Sequence, residues 1–67
     1  EFIPSEGSKV TQKPVKDLGL PVGMTIGGLV RDGVGLLVSG NTMIQPGDSV
    51  MVFCHNVNMK KIEKFFL

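Results

Sequence analysis

Apolar residues in this chain change their spacing once, close to the carboxyl end. From residue 24 to residue 54 they fall in short runs broken by turn-forming residues, which is typical of β-strands. After that, Met59, Ile62 and Phe66 recur at helical spacing, flanked by Phe65 and separated by lysines and a glutamate. This spacing predicts an amphipathic C-terminal helix, for which a nearby asparagine, at position 56, is the expected N-cap.

The strand at residues 50–54 and the turn before it are the best-specified part of the predicted sheet. Pro46 presets φ for the first central position of a β-turn, Gly47 accepts the positive φ that a type II turn needs next, and Asp48 can bond to the local backbone. The strand is apolar on both faces, and such strands are usually buried on both. The helix can cover one face, so we expect a second copy of the chain to cover the other.

Two further strands are predicted before this turn, at residues 24–31 and 34–38. The dipeptide Asp32-Gly33 joins them, and Asp-Gly between apolar runs is a strong hairpin signal. Gly27 and Gly28 interrupt the first of these strands. They indicate a bulge or, as an alternative, the close approach of a partner strand or a ligand.

The beginning of the chain predicts shorter elements. Residues 1–7 are interpreted as an edge strand, because Pro4 would remove a hydrogen-bond donor from a central one. A connector with Val10 pointing inward comes next, and residues 14–18 suit a short helical turn that begins with proline. The fold class is therefore α+β: one small two-layer domain over residues 1–67, in the order β-α-β-β-β-α, with a mostly antiparallel sheet and a C-terminal amphipathic helix.

Size makes such a domain marginal on its own. With 67 residues, the ordering entropy nearly cancels the hydrophobic gain, so small domains usually rely on disulfides, a metal or oligomerisation. Cys54 is the only cysteine and cannot form an internal disulfide; we expect it to be buried among its apolar strand neighbours. No cluster of His and Cys has metal-ligand spacing. Oligomerisation or docking on a larger protein is the remaining way to stabilise the domain.

Charge and composition exclude several classes of function. The net charge is +1 and the basic residues are scattered, so no nucleic-acid partner is expected. There is no apolar run of membrane-spanning length and no signal peptide, and a single unpaired cysteine fits a reducing cytosol. Because the chain lacks an initiator methionine, we interpret it as a piece of a longer protein.

Nothing in the sequence predicts an enzyme. His55 is the only histidine and has neither a candidate nucleophile nor an orienting carboxylate near it in the sequence. Arg31 ends a strand beside the hairpin turn, where it could be solvated or could contact an anionic ligand or a partner chain. No catalytic and no metal-binding residue is predicted.

The order of several motifs resembles a known family. The motifs are Glu6-Gly7-Ser8-Lys9-Val10, Lys13-Pro14-Val15-Lys16-Asp17-Leu18 with Leu20-Pro21, Ile26 to Arg31, Gly40-Asn41-Thr42, Ile44-Gln45-Pro46-Gly47-Asp48-Ser49-Val50 and Lys60-Lys61-Ile62-Glu63-Lys64-Phe65-Phe66. Together they resemble the TrkA C-terminal domain, the C-terminal lobe of the regulator-of-potassium-conductance module. The resemblance covers nearly the whole chain.

This resemblance implies a cytosolic regulatory and dimerisation domain of a Trk-type potassium-uptake system. It implies a homodimer or higher homo-oligomer that contacts a membrane potassium transporter subunit at the inner face of the plasma membrane, without insertion of its own. A nucleotide of the NAD or ATP type is expected only in an N-terminal lobe outside this chain, and no cofactor within it. Two alternatives are a lobe that senses a cyclic dinucleotide or another nucleotide, and the same lobe appended to a cation–proton antiporter.

A region for the ligand or dimer interface also follows from the resemblance. It comprises Ile26, Gly27, Gly28, Arg31 and Asn41. Many family members carry a Pro-Arg-Gly-Asp-Thr-like loop where this chain has Val-Ser-Gly-Asn-Thr at residues 38–42. The replacement removes a positive charge and a carboxylate near the possible ligand groove.

Overall fold

Three antiparallel strands form the centre of the domain, and the computed structural model describes all 67 residues. The strands are β1 (Met24–Arg31), β2 (Val34–Leu37) and β3 (Ser49–Cys54), in the spatial order β2-β1-β3. The chain ends in helix α1 (Met59–Phe66). The predicted α+β class, with its antiparallel sheet and C-terminal helix, is confirmed.

Strands β1 and β2 form the predicted hairpin. Asp32 and Gly33 make a two-residue loop with φ of 51° and 78°, the left-handed pair that a type I′ turn requires. The register runs from Arg31 opposite Val34 to Gly28 opposite Leu37. This turn matches the right-handed twist of the two strands, so the local sequence is sufficient to build the hairpin.

A bulge lies in β1 where the paired glycines predicted one. The register against β3 shifts between Ile26 and Gly28, which leaves Gly27 as the extra residue. A Cβ atom added to Gly27 would lie 2.6 Å from Cε2 of Phe53. Glycine therefore leaves room for an aromatic ring from β3 that lies against the backbone, and a larger residue would have to displace that ring.

The turn before β3 also has the predicted geometry. Gly47 has φ of 88°, and the Asp48 N–H donates to the Gln45 carbonyl at 3.1 Å. The Asp48 side chain accepts a second bond, from the Gln45 N–H at 2.9 Å. The type II turn is thus confirmed, with the aspartate bonded to the local backbone as expected.

The two elements predicted before β1 are shorter than expected. The N-terminal edge strand is reduced to one bridge between Phe2 and Val50, because Pro4 has no N–H with which to continue the ladder. The predicted helical turn is a 3₁₀ turn, Val15–Asp17, and a second 3₁₀ turn, Lys9–Thr11, occupies the connector. Val10 is fully buried, as predicted.

The hydrophobic core lies on one face of the sheet. Its eight buried apolar residues are Val10, Met24, Ile26, Leu29, Ile44, Val50, Ile62 and Phe66. The end of α1 is tied to the beginning of the chain, because the buried Ser8 hydroxyl donates to the Phe66 carbonyl at 2.8 Å and the Phe2 ring stacks on Phe66 at 4.9 Å. The helix is therefore held both by the core and by the N-terminal segment.

Two details of the predicted helix are wrong. The N-cap is Asn58, whose side chain accepts a bond from the Lys60 N–H at 2.8 Å, and not Asn56, which has φ of 55° in the preceding turn. Asparagine tolerates the left-handed conformation, so Asn56 turns the chain instead. Met59 is exposed because the helix begins there and its side chain extends over the turn before it; burial starts at Ile62.

Candidate functional site

The two faces of the sheet differ in what covers them. Met24, Ile26 and Leu29 of β1 lie opposite Cys54, Val52 and Val50 of β3 on the inner face, which meets the core. On the outer face, Thr25 lies opposite Phe53, Gly28 opposite Met51, and Val30 opposite Ser49. No helix or loop of the chain forms a second layer there, so the apolar side chains of the outer face are open.

Exposure is uneven over that outer face. Leu37 of β2 is 93% exposed, whereas Phe53 is 63% exposed and Met51 is 45% exposed. Phe53 lies against Gly27, so it uses the space left by the glycine in the neighbouring strand. The β3 side of this face is therefore partly covered by its own side chains, and the β2 side is not.

Strand β3 is thus buried on one face only, where its sequence predicted burial on both. Val50 is fully buried, while Met51 and Phe53 face outward. The prediction that Cys54 is buried is wrong, because the thiol is exposed. Cys54 is the last residue of β3, opposite the first residue of β1, and the core does not extend past that end of the sheet.

The edge formed by β3 is covered at Val50 by the N-terminal segment. The Phe2 N–H donates to the Val50 carbonyl at 2.9 Å, and the Val50 N–H donates to the Phe2 carbonyl at 2.8 Å. The Gly47 N–H donates to the Pro4 carbonyl at 3.2 Å, and the Ser49 hydroxyl bonds to the Glu1 carboxylate. This edge has a covering strand segment, a buried proline and a charge, which are the usual protections against pairing with another chain.

The edge formed by β2 has none of these protections. All of its residues, Val34–Leu37, are exposed, and the strand contains no charged residue and no proline. Because the hairpin loop has two residues, Arg31 and Val34 are the hydrogen-bonded pair that closes it, and such pairs alternate along the ladder. The N–H and C=O groups of Gly35 and Leu37 therefore point to the free edge.

Arg31 takes part in an ion pair that the sequence did not indicate. Its Nε donates to Asp48 Oδ1 at 2.9 Å and its Nη2 to Asp48 Oδ2 at 2.8 Å, while Nη2 also donates to the Met43 carbonyl at 3.1 Å. Asp48 is buried. The bond from Arg31, together with that from the Gln45 N–H, lowers the pKa of Asp48 despite its burial, and the bond to Asp48 raises the pKa of Arg31.

The β1–β3 register explains why this pair forms. Val30 lies opposite Ser49, so Arg31 and Asp48 are the next positions at the same end of the sheet. The ion pair between Arg31 and Asp48 could be predicted only from the register of the two strands, which the sequence does not give. Arg31 thus joins β1 to the turn that precedes β3.

The five residues of the predicted interface region do not share one environment. Ile26 is buried in the core, and Gly27 lies under Phe53. Gly28 is on the outer face, Arg31 is bonded to Asp48, and Asn41 is exposed in the turn of residues 39–42. Their contact with a ligand or partner stays a prediction.

One shallow pocket of about 250 Å³ lies elsewhere, and none of the predicted interface residues lines it. Its lining is Lys9, Gln12, Lys13, Asp17 and Leu18. No group of three or more His, Cys, Asp or Glu side chains is placed to hold a metal ion. The single helix falls well short of the length and apolar character needed to cross a membrane.

Comparison with known proteins places the whole chain in one family. The model of the TrkA-C domain matches residues 1–67. Trk system potassium uptake protein TrkA of Azorhizobium caulinodans is 36% identical over 61 residues, which cover 91% of this chain. Trk system potassium uptake protein TrkA homolog 1 of Methanosarcina mazei is 29% identical over 66 residues, which cover 98%. The chain spans only 13% and 15% of the lengths of these two relatives.

Proposed function

Because this chain belongs to the TrkA-C domain family, we propose that it is the regulatory domain of a Trk-type potassium-uptake system and that it acts by pairing with a second copy of itself. Potassium uptake is the role named for both relatives, and each of them is several times longer than this chain. That this chain works together with the other parts of a transport system, which lie outside it, is therefore proposed.

The observation that carries the proposal is the uncovered apolar surface of the sheet. Its inner face meets a core, while the outer face and the β2 edge expose six large side chains: Val30, Val34, Leu36, Leu37, Met51 and Phe53. Full burial of one such side chain is worth about 1.5 to 3 kcal/mol, and association costs about 4 to 15 kcal/mol. Pairing of two copies buries such side chains on both partners, so it gains about twice as much from apolar burial as one copy would gain against a polar surface.

Pairing can regulate transport only if it differs between two states. A ligand or partner changes the arrangement of two domains by binding one arrangement more tightly than the other. In this proposal the domain lies in the cytoplasm beside a membrane transporter subunit, and a nucleotide binds in a preceding lobe outside this chain. The paired domains would hold two such lobes in a defined geometry.

Sedimentation velocity tests the pairing itself. We expect the purified 67-residue chain to shift from monomer to dimer as its concentration rises from low to high micromolar. The shift should persist in high salt, because apolar contacts are not screened. A monomer at every concentration would contradict the proposal. Calorimetry with a cyclic dinucleotide and with ATP would separate a sensing role, which requires a heat of binding, from a pairing role, which does not.

A further inference from the structure

We propose that two copies of this chain pair edge to edge through β2, antiparallel about a twofold axis at Leu36, so that their sheets join into one sheet of six strands. This inference rests on the proposed pairing and specifies its contact. The occupant of the open edge is a second copy of the same strand. Three features of β2 support that choice: its backbone groups, its side-chain sizes and the charges at its two ends.

The backbone groups of β2 match their own copy. Gly35 and Leu37 are the two positions of the strand whose N–H and C=O groups point to the free edge. The opposite edge of the sheet shows the same alternation of bonding directions. In β3, the N–H and C=O groups of Val50 point outward to Phe2, while its neighbour Ser49 pairs with β1. A twofold axis at Leu36 places Gly35 of one copy opposite Leu37 of the other, which forms two hydrogen-bonded pairs.

Side-chain sizes are complementary in the same register. Gly35 and Leu37 lie on the outer face of the sheet, where Gly28 is the β1 partner of Leu37. A Cβ atom at Gly35 would meet nothing within 4 Å, so the single chain gives no reason for glycine in the middle of this strand. Pairing supplies the reason, because each exposed leucine then lies between Gly28 of its own copy and Gly35 of the second copy.

Charges at the ends of the strand also fit. Arg31–Asp48 is the one ion pair within the chain. Lys16 forms no ion pair, and Asp32 forms none either, although its charge acts on the nearby Arg31. Lys16 lies against Gly40, whose carbonyl accepts a bond from the Lys16 N–H at 2.9 Å. The proposed register brings Asp32 of one copy toward Gly40 and Lys16 of the other, and it does so twice because of the symmetry. No like charges meet along the strand itself.

Disulfide trapping tests the register. In a Cys54→Ser background, which removes the exposed native thiol, Leu36→Cys would place two thiols at a non-hydrogen-bonded pair with Cα atoms about 4.5 Å apart, within disulfide range. We expect a covalent dimer with oxidised glutathione. Val34→Cys in the same background is the matched control: it lies on the same strand and face, but its two copies would be about 13 Å apart and should not cross-link.

A charge at the edge tests the contact without a thiol. Leu37→Lys should raise the dimer dissociation constant by about tenfold, because two leucines lose their burial and two ammonium groups enter the edge. Its matched control is Val22→Lys, at a fully exposed position outside β2, which should leave the constant unchanged. Because both side chains are exposed, neither change should alter the fold, which far-UV circular dichroism would check.

The outcomes separate the two proposals. Cross-linking of Leu36→Cys but not Val34→Cys, with weaker pairing of Leu37→Lys alone, supports edge pairing. If the chain dimerises but Leu36→Cys does not cross-link, or both cysteine variants cross-link equally, edge pairing is overturned and the proposed function stands. If the chain stays monomeric at all concentrations, both fail.

Discussion

The two edges of the sheet differ in whether another segment of the chain pairs with them: the N-terminal segment pairs with β3, and no segment pairs with the outer edge of β2. At β3, Phe2 pairs with Val50 and its ring stacks on Phe66, so the beginning of this edge is covered by residues far away in sequence. At β2, the strand has neither a covering segment nor a charged residue. An apolar edge strand whose N–H and C=O groups are unpaired can pair with another chain. The contrast teaches that the open edge is a specific surface of this fold and not a general property of its small size.

The largest effect should come from opening the closed edge. Phe2→Ala removes the ring stacked on Phe66, and because Phe2 is half-buried we expect a loss of about 2 kcal/mol in the free energy of unfolding, below the value for a fully buried phenylalanine. Urea denaturation would measure it. Val34→Ala, at the open edge, is the control and should change the free energy by less than about 0.5 kcal/mol in a monomeric sample. Equal losses of unfolding free energy in the two variants would contradict the claim that the two edges differ in their contribution to stability.

The Arg31–Asp48 pair should make the closed edge sensitive to acid. The pKa of Asp48 is lower in the folded chain than in the unfolded one, so its contribution is complete above the unfolded value and is lost as pH falls toward the folded value. We expect Asp48→Asn to cost about 1.5 kcal/mol at neutral pH, the worth of a charge-assisted bond. Its unfolding free energy should also fall less steeply than that of the parent chain below about pH 4. Parallel pH profiles would contradict this role.

The glycine bulge should have a smaller effect. Gly27→Ala puts a methyl group where the Phe53 ring lies, but that ring is 63% exposed and can turn outward, so we expect a loss of about 1 kcal/mol. Phe53→Leu shortens the neighbour, and the double variant Gly27→Ala, Phe53→Leu should recover most of the loss. Thermal melts of the four chains would measure this coupling. If the stability losses of the two single variants simply added in the double variant, the Phe53 ring would not be the reason for glycine at position 27.

The smallest effect on folding should come from the open edge itself. Leu37→Ser removes a side chain that is 93% exposed, so the unfolding free energy of the monomer should change by less than about 0.5 kcal/mol. The same variant should have a higher dimer dissociation constant, which sedimentation velocity would measure. A large loss of monomer stability would mean that Leu37 has a role inside the single chain.

How much of this could be predicted from the sequence depends on the distance over which each feature acts. The hairpin turn at Asp32-Gly33 and the type II turn at Gln45–Asp48 were predictable, because each is determined by the backbone preferences of the residues that form it. The face of α1 that begins at Ile62 was predictable from its spacing. Local chemistry was sufficient in each case.

Features that depend on the pairing of distant strands were not predictable in the same way. The bond between Arg31 and Asp48 requires the β1–β3 register, and that register includes a bulge which shifts it by one residue. The exposure of Cys54 depends on where the core ends, and neighbouring residues in sequence do not determine that. The openness of the β2 edge likewise follows from the strand order, which places β1 in the centre of the sheet.

Amide hydrogen exchange measured by NMR at several protein concentrations tests the central claim most directly. In the monomer, the Gly35 and Leu37 amides should exchange quickly because they point to solvent, while those of Val34 and Leu36 are bonded to β1. The account predicts that protection of Gly35 and Leu37 rises with concentration, and that Val50, at the closed edge, is protected throughout. Unchanged fast exchange of Gly35 and Leu37 in a sample that sedimentation shows to be dimeric would contradict it.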